Sequence, residues 1–332
     1  MAQRPTIRDV ARVAGTSIGS VSNYLNNTTR VSVGTRKRIE DAIDALGFIP
    51  NSAVRVVLGA RSHAIGFLTP DVPNPSLLEI QRGIEDVAIQ AQDVVIVCNT
   101  DCDPAREAHY ARTLSEMRVT GAIVMASSAA ETHMRTLEAS GAVVVLIDAD
   151  PRRSHFPTIN SDNVQGGRIA MEHLLERGHR DIVFVGGPGA EQAVKERLAG
   201  AKAAFVNAGL DPAAIRRVDA RGGSFASRSA AAEEVLQMRP RPTAALCAND
   251  LIALAFQNVL LANHIRVPQD MALVGYDDIE AGQTAPVPLT TVHQSSYEQG
   301  KAAAELVLEI AAHGTATPRP TFPVELIVRQ ST

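Results

Sequence analysis

Residues Thr6 to Asn26 read TIRDVARVAGTSIGSVSNYLN. Thr6 is suited to cap a helix, with Asp9 three residues on as its reciprocal partner. Ile7, Val10, Ala11 and Ala14 then repeat at helical spacing until Gly15 breaks the run. Ser17 starts a second helix with Val21 and Leu25 facing inward at i and i+4. Two short helices joined by a Gly-containing turn form the helix-turn-helix pattern. Ser32 opens a third helix, in which Ile39, Ala42, Ile43 and Leu46 make one stripe and Gly47 stands at the C′ position. An all-α unit is therefore expected at the start of the chain.

Charge sets this unit apart. The net charge of −4 divides into +5 over residues 1–62 (nine Lys/Arg against four Asp/Glu) and −9 over the remainder. A small basic head on a large acidic body suggests that only the head meets a polyanion, although a basic segment can equally be solvated. At 332 residues, 45% of them hydrophobic and 20% charged, the chain has room for two or three units and a large core. Aromatics are scarce, with no Trp, four Tyr and eight Phe, so a site built on ring stacking has few candidates. Apolar stretches such as Gly141 to Ile147 are far too short for a bilayer span. The opening Met-Ala-Gln-Arg-Pro shows no signal-peptide pattern. Cys98, Cys102 and Cys247 match neither a disulfide framework nor a metal spacing. A reduced, cytoplasmic protein without membrane association is expected.

From residue 63 the pattern changes to strand–helix units. Ala64–Leu68, Val94–Cys98, Ala122–Met125, Val143–Ile147, Ile182–Val185, Ala244–Cys247 and Ala272–Val274 are short β-rich runs, each followed by a helical stretch. That alternation predicts an α/β body with parallel sheets. Two successive sheets, split near Asn160, would leave a cleft at the carboxyl ends of their strands, where ligands bind in such folds.

Thr6 to Asn26, followed by Val31-Ser32 and Gly47-Phe48-Ile49-Pro50-Asn51, closely resembles the headpiece of the LacI/GalR family of bacterial transcriptional regulators. The resemblance continues through Ser161-Asp162-Asn163, Arg197-Leu198-Ala199-Gly200, Ala248-Asn249-Asp250, Val274-Gly275-Tyr276-Asp277-Asp278 and Pro288-Leu289-Thr290-Thr291. It implies a helix-turn-helix headpiece over 1–50, a hinge over 51–62 and a two-lobed, periplasmic-binding-protein-like body over 63–332. The N-lobe would take about 63–160 and 295–322, and the C-lobe about 161–294 and 323–332.

Residue by residue, the resemblance places Ile18, Gly19 and Asn23 against base edges and Thr6, Ser17, Ser22 and Asn26 against phosphates. Most relatives carry Arg where this chain has Asn23. Arg favours guanine, whereas Asn makes its paired bonds to adenine, which points to an A·T pair in the outer half-site unless Asn23 only meets a phosphate. Asn51 to Leu58 (NSAVRVVL) occupies the place of a hinge helix that forms on DNA, with Asn51, Val54, Val57 and Leu58 at the minor groove. Valines at 54, 56 and 57 lower its helical propensity, and either Val57 or Leu58 could be the wedge.

The resemblance also implies a ligand set in the cleft: Asp71 and Asn74 on the first strand–helix loop, Asp148, Arg197 as a planar clamp, Phe225 as a stacking ring, Asn249, Asp277 and Gln294. Each has a plainer reading. Arg197 could pair with Glu191 or Glu196, Asp277 and Asp278 could be turn residues, Asp148 a loop cap and Phe225 a rim aromatic. Ser76 and Leu77 stand where relatives commonly place two aromatics, which argues against a large planar effector and for a sugar or sugar acid.

The function expected is a repressor that binds a pseudo-palindromic operator on double-stranded DNA as a homodimer, under control of that small effector. The alternative is a sugar-binding protein of the transport type with a degenerate headpiece. No catalytic constellation, metal site or cofactor motif is legible: nine His are scattered and no G-x-G-x-x-G follows a strand.

Overall fold

Among the residues described, three helices make up the start of the chain: α1 (Ile7–Val13), α2 (Ile18–Asn26) and α3 (Val33–Leu46). Their core is Val10, Ala11, Ala14, Val21, Ile39 and Ala42, with Leu25, Ile43 and Leu46 packed against it. Gly15, at φ 60°, turns the chain from α1 into α2 in the left-handed conformation that glycine adopts without strain. Ser32 Oγ accepts from the Thr35 amide at 3.4 Å and caps α3. At its far end, Gly47 and Phe48 return their amides to the Asp44 and Ile43 carbonyls, closing a Schellman motif.

The computed structural model describes residues 5–26, 31–48, 62–125, 130–187, 192–220 and 222–332. Its chain divides into two units, Met1–Ser62 and His63–Thr332. The second unit holds two sheets. In the first, β1 (Ala64–Thr69), β2 (Val94–Asn99), β3 (Gly121–Met125), β4 (Val143–Ile147) and β5 (Thr158–Ile159) lie in the order β2-β1-β3-β4-β5, all parallel. The helices between them are α4 (Pro75–Gln90), α5 (Pro104–Glu116) and α6 (Ala130–Ala139). Because helices cover both faces, β1, β3 and β4 are nearly continuous apolar runs with no polar face.

The second sheet runs β11-β10-β9-β8-β6-β7. Its strands are β6 (Ile182–Gly186), β7 (Arg216–Asp219), β8 (Ala244–Cys247), β9 (Ala272–Asp277), β10 (Thr290–Gln294) and β11 (Val324–Ile327). Its helices are α7 (Asn163–Glu176), α8 (Gln192–Asn207), α9 (Phe225–Gln237), α10 (Asp250–Ala262) and the single turn α11 (Glu280–Gln283), while α12 (Ser296–His313) follows β10. The body is α/β with parallel sheets, as expected, save at one edge, where β11 pairs antiparallel with β10. The chain leaves β10 into α12, which packs on α4, β3 and β4 of the other lobe, and it returns from there without a crossover helix on its own sheet. An antiparallel edge strand is common on such sheets.

Two glycine contacts set the spacing of the helices that frame the cleft. A Cβ on Gly167 of α7 would stand 1.9 Å from the Arg197 carbonyl, and one on Gly200 of α8 would stand 1.9 Å from the Val164 carbonyl. In the other lobe, a Cβ on Gly300 would meet the Ile80 carbonyl at 1.9 Å and one on Gly83 the Tyr297 carbonyl at 2.1 Å. Backbone lies against backbone in both pairs, so neither can yield by a rotamer change. Gly167→Ala is expected to destabilise the body by about 1–3 kcal/mol. Gly34→Ala, whose Cβ meets nothing within 4 Å, should leave it unchanged in the same thermal melt.

Candidate functional site

Helix α2 carries the candidate reading face of the headpiece. Ser17 Oγ accepts from the Ser20 amide at 3.0 Å and caps the helix. Val21 points into the core, while Ile18 is 46% exposed and Gly19 and Asn23, one turn apart, are also exposed. Ser22 is half-buried. Tyr24 turns the other way, its hydroxyl donating to Glu40 Oε1 on α3 at 3.0 Å. Thr6 is held by Asp9, whose Oδ2 accepts both the Thr6 hydroxyl at 2.7 Å and its amide at 2.9 Å. These bonds, with Arg12 beside them, draw the Asp9 carboxyl down to about 2. A phosphate contact from the Thr6 hydroxyl would therefore have to replace its bond to Asp9. The side chain of Asn26, and all of Asn51, Val54, Val57 and Leu58, lie outside the described residues.

The body holds a cavity of about 770 Å³ between its two sheets. Asp71, Asn74, Asp148, Arg197, Asn249, Asp277 and Gln294 all line it. Phe225 does not, which corrects the expectation for that residue. It is the first residue of α9 and 60% exposed. Ser224 and Arg228 line the wall instead, and Phe225 lies about 100° around the helix from Ser224.

Arg197 is the centre of the cavity's chemistry. Its Nε donates to Asn163 Oδ1 at 2.9 Å and its Nη1 to the Ala248 carbonyl at 2.6 Å. Asp277 Oδ1 stands 4.0 Å from Nη1. The Tyr276 ring lies under the guanidinium at 3.5 Å, a cation–π contact strengthened by burial. The plainer reading of an Arg197–Glu196 pair does not describe this geometry, since Glu196 accepts from Gln192 at 2.8 Å; Glu191 lies outside the described residues. Asn163 links the clamp to the acids by donating its Nδ2 to Asp148 Oδ1 at 3.1 Å.

The two acids share this one cation. Burial raises the Asp148 carboxyl and Arg197 pulls it back. Burial likewise pushes Asp277 up to about 6, against Arg197, Asn74 and Gln294, which lower it; Gln294 Nε2 donates to Asp277 Oδ1 at 2.7 Å. Asp148 and Asp277 both adopt positive φ, 54° and 112°, a strained backbone that concentrates at functional sites. Asp278 faces elsewhere and pairs with Arg329 at 2.6 Å. The two asparagines are narrower in chemistry than their type suggests. Asn249 Oδ1 caps α10 by accepting from Ile252 and Asn74 Oδ1 caps α4 by accepting from Ser76, so each offers mainly its amino group.

Four residues escaped the sequence reading. Arg228 Nη2 donates to Asp71 Oδ2 at 2.7 Å, tying the two lobes across the cavity mouth. Asn163 and Tyr276 orient Arg197, and Gln299 lines the wall. Asn163 and Tyr276 fall inside quoted motifs but have no role legible there. Arg228 and Gln299 are ordinary helix positions until the fold brings them to the cavity. Behind the wall, Asp250 takes the Ile279 amide on Oδ2 at 2.9 Å, with Thr291 Oγ1 2.6 Å from Oδ1. Burial, with Asp277 and Asp278 adding, pushes it up to about 8. Among the described residues, no three His, Cys, Asp or Glu side chains are grouped to hold a metal ion, and no helix is long and apolar enough to cross a membrane.

An exposed helix face on a helix-turn-helix unit and a polar cavity between two α/β lobes together define a DNA-binding regulator with a ligand-binding body. Residues 6–51 match the family model for bacterial regulatory proteins of the lacI family, and residues 171–332 match that for a periplasmic-binding-protein-like domain. The chain is 35% identical to the HTH-type transcriptional repressor PurR of Aliivibrio salmonicida, over 92% of this chain and 91% of that one. It superposes on the Lac repressor dimer bound to operator and the anti-inducer ONPF with a TM-score of 0.83, at 26% identity and covering 99% of both chains. The transcriptional regulator CelR in its cellobiose complex gives 0.73 at 28% identity, covering 99% of this chain and 100% of that one. The chain belongs to the LacI family: it is a DNA-binding transcriptional repressor with an effector-binding domain, and not an enzyme.

Asp250 and Asp277 are held above the ordinary carboxylate value of 3.8, at about 8 and about 6. Folding therefore favours their protonated forms. The stability they add is complete below about pH 4 and is lost as pH rises through 6 and then 8. Asp250→Asn, which keeps a neutral group facing Thr291 and Ile279, is expected to melt close to the parent protein at pH 5 and above it at pH 8.5. Parallel melting curves at the two pH values would contradict this assignment.

Proposed function

We propose that this protein represses transcription as a homodimer on a pseudo-palindromic operator, under control of a small sugar bound between its lobes. The observation that carries the effector class is the composition of the cavity. Carboxylates, guanidinium and amide groups converge there, and no aromatic ring is among the lining residues. The intervening stretches 126–129 and 188–191 and residue 221 contain none either. Hydroxyl groups suit such a wall, because each both donates to a carboxylate and accepts from an amide or guanidinium. A neutral sugar fits better than a sugar acid, since Arg197 and Arg228 already have acidic partners. The name borne by the curated relatives suggests a purine-type effector instead. Among the described residues, the cavity offers such a ring no aromatic side chain to stack on.

Dimerisation is supported by the edge of the first sheet. Among the described residues β2 has no strand beyond it, Val94 and Val97 are exposed along it, and Ile89 is 70% exposed at the end of α4. An apolar sheet edge left open in this way is a natural pairing surface. Effector binding would close the lobes and weaken the hinge of residues 51–62 on DNA, a coupling typically worth about 1–3 kcal/mol. The protein would then act in the cytoplasm, where its operator is.

Selection of genomic fragments by the full-length protein, repeated with a panel of sugars and with hypoxanthine and guanine, tests this reading. The expected result is a palindrome with an A·T pair opposite Asn23, released by one sugar, with Arg197→Ala no longer responding to it. Release by a purine alone would overturn the effector class, and an invariant G·C at that position would overturn the role of Asn23. For the dimer, Val94→Asp with Val97→Asp is expected to sediment as a monomer and to bind operator at least tenfold more weakly. A dimeric double variant would move the interface elsewhere.

A further inference from the structure

One wall of the cavity carries a buried amide with no hydrogen-bond partner among the described residues. Gln299, in the first turn of α12, lines the cavity and is only 1% exposed. Neither its Nε2 nor its Oε1 has a hydrogen-bond partner among the described residues. A buried amide that bonds neither water nor protein is costly, and native interiors seldom contain one. Beside it, Gln294 uses Nε2 toward Asp277 at 2.7 Å and Ser76 at 3.4 Å, while its Oε1 stays unpaired. Ser76 Oγ and Ser296 Oγ, 2.8 Å apart, satisfy one another across the junction of α4 and α12. The serine pair closes on itself, so the open valences of this wall belong to the two glutamines.

The chemistry of those valences is specific. A primary amide offers two donors and one oxygen with two lone pairs in a single plane. With both ends of Gln299 free and a further acceptor on Gln294, the wall matches neighbouring groups that each donate and accept. Two hydroxyls on adjacent carbons meet that description. A carboxylate does not, because it could accept from Nε2 but would repel both amide oxygens.

We infer that Gln299 is a specificity-determining residue of the cleft, pairing through both ends of its amide with a vicinal diol of the bound sugar, with Gln294 Oε1 as the neighbouring acceptor. The clamp at Arg197 and the acid Asp277 hold the ligand from the second lobe, with Asp148 beside them at the end of β4, and Gln299 reads its opposite side from α12. The inference rests on the sugar reading of the cleft and adds to it which hydroxyl arrangement is chosen.

The test uses the full-length protein and its Gln299→Leu variant, which keeps an apolar side chain of similar bulk. Thermal melts are recorded alone and with ribose, xylose, glucose and galactose, with their single-deoxy analogues, and with hypoxanthine and guanine. Calorimetry then measures affinity for whichever compound protects the parent protein. Without ligand, Gln299→Leu is expected to melt higher than the parent, because an unpaired buried amide has been replaced by a hydrocarbon. Its affinity for the protecting sugar is expected to fall at least tenfold, while a deoxy analogue lacking one of the paired hydroxyls binds parent and variant alike. A purely structural glutamine would give the reverse, a lower melt and unchanged affinity, and that result overturns the role of Gln299. A variant that binds the sugar as well as the parent does overturns it too, leaving the sugar reading intact. Protection by a purine alone, or by no compound of the panel, removes the sugar reading and this inference with it.

Discussion

A single buried guanidinium organises the body of this protein. Arg197 lies within the low-dielectric space between two sheets, and its charge is tolerable there only because Asp148 and Asp277 surround it, Tyr276 lies beneath it and Asn163 and the Ala248 carbonyl take its hydrogens. The acids depend on it in turn. Without that cation, burial would leave two carboxyls facing one cavity with nothing to hold their charge. The elements meeting at this point are α7, α8, β9 and the loop after β4, so the clamp also registers the helices against the sheet. The Gly167 and Gly200 contacts bring α7 and α8 close enough for Asn163 to reach it.

That arrangement leaves donors and acceptors disposed around the cavity in a particular order. The second lobe presents charge, through Arg197 and Asp277. The first lobe contributes the neutral amides of Asn74 and Gln299, along with Asp148 and Asp71. A ligand that fills the space must satisfy both walls at once. The Asp71–Arg228 pair already joins them. The headpiece relies on different physics. Its core is small, and α2 stays on the surface with Ile18, Gly19 and Asn23 toward solvent because Val21 and Leu25 pack inward from the other side.

Much of this was legible in the residues. Period and punctuation set the helices: Gly15 and Gly47 end them where expected, and Ser17 and Ser32 cap them. Six of the seven β-rich runs lie in strands within a residue or so of their expected limits, and the seventh, Ala272–Val274, extends to Asp277. The strands missed, β5, β7, β10 and β11, are short or carry polar residues such as Arg216-Arg217 and Thr290-Thr291. Those residues are satisfied by partners distant in sequence: Arg216 reaches the Pro240 carbonyl and Thr291 reaches Asp250. Local pattern has no access to such pairings.

The residues by themselves determined the two-part organisation, the basic headpiece, the helices of its helix-turn-helix and the strand ends where a ligand would sit, because each of these follows from spacing, capping and charge along the chain. Tertiary structure alone decided which side chains share the cavity. It excluded Phe225 by the angle at which α9 begins, it brought in Arg228 and Gln299 from two different helices, and it set Asn163 behind Arg197. Whether Asp277 or Asp278 faces the cleft is likewise set by the backbone turn after β9 and by the distant Arg329. The physical reason is the same in each case. A side chain's neighbours depend on how helices are rotated and how closely they approach, and that is fixed by contacts between segments from about 30 to more than 150 residues apart.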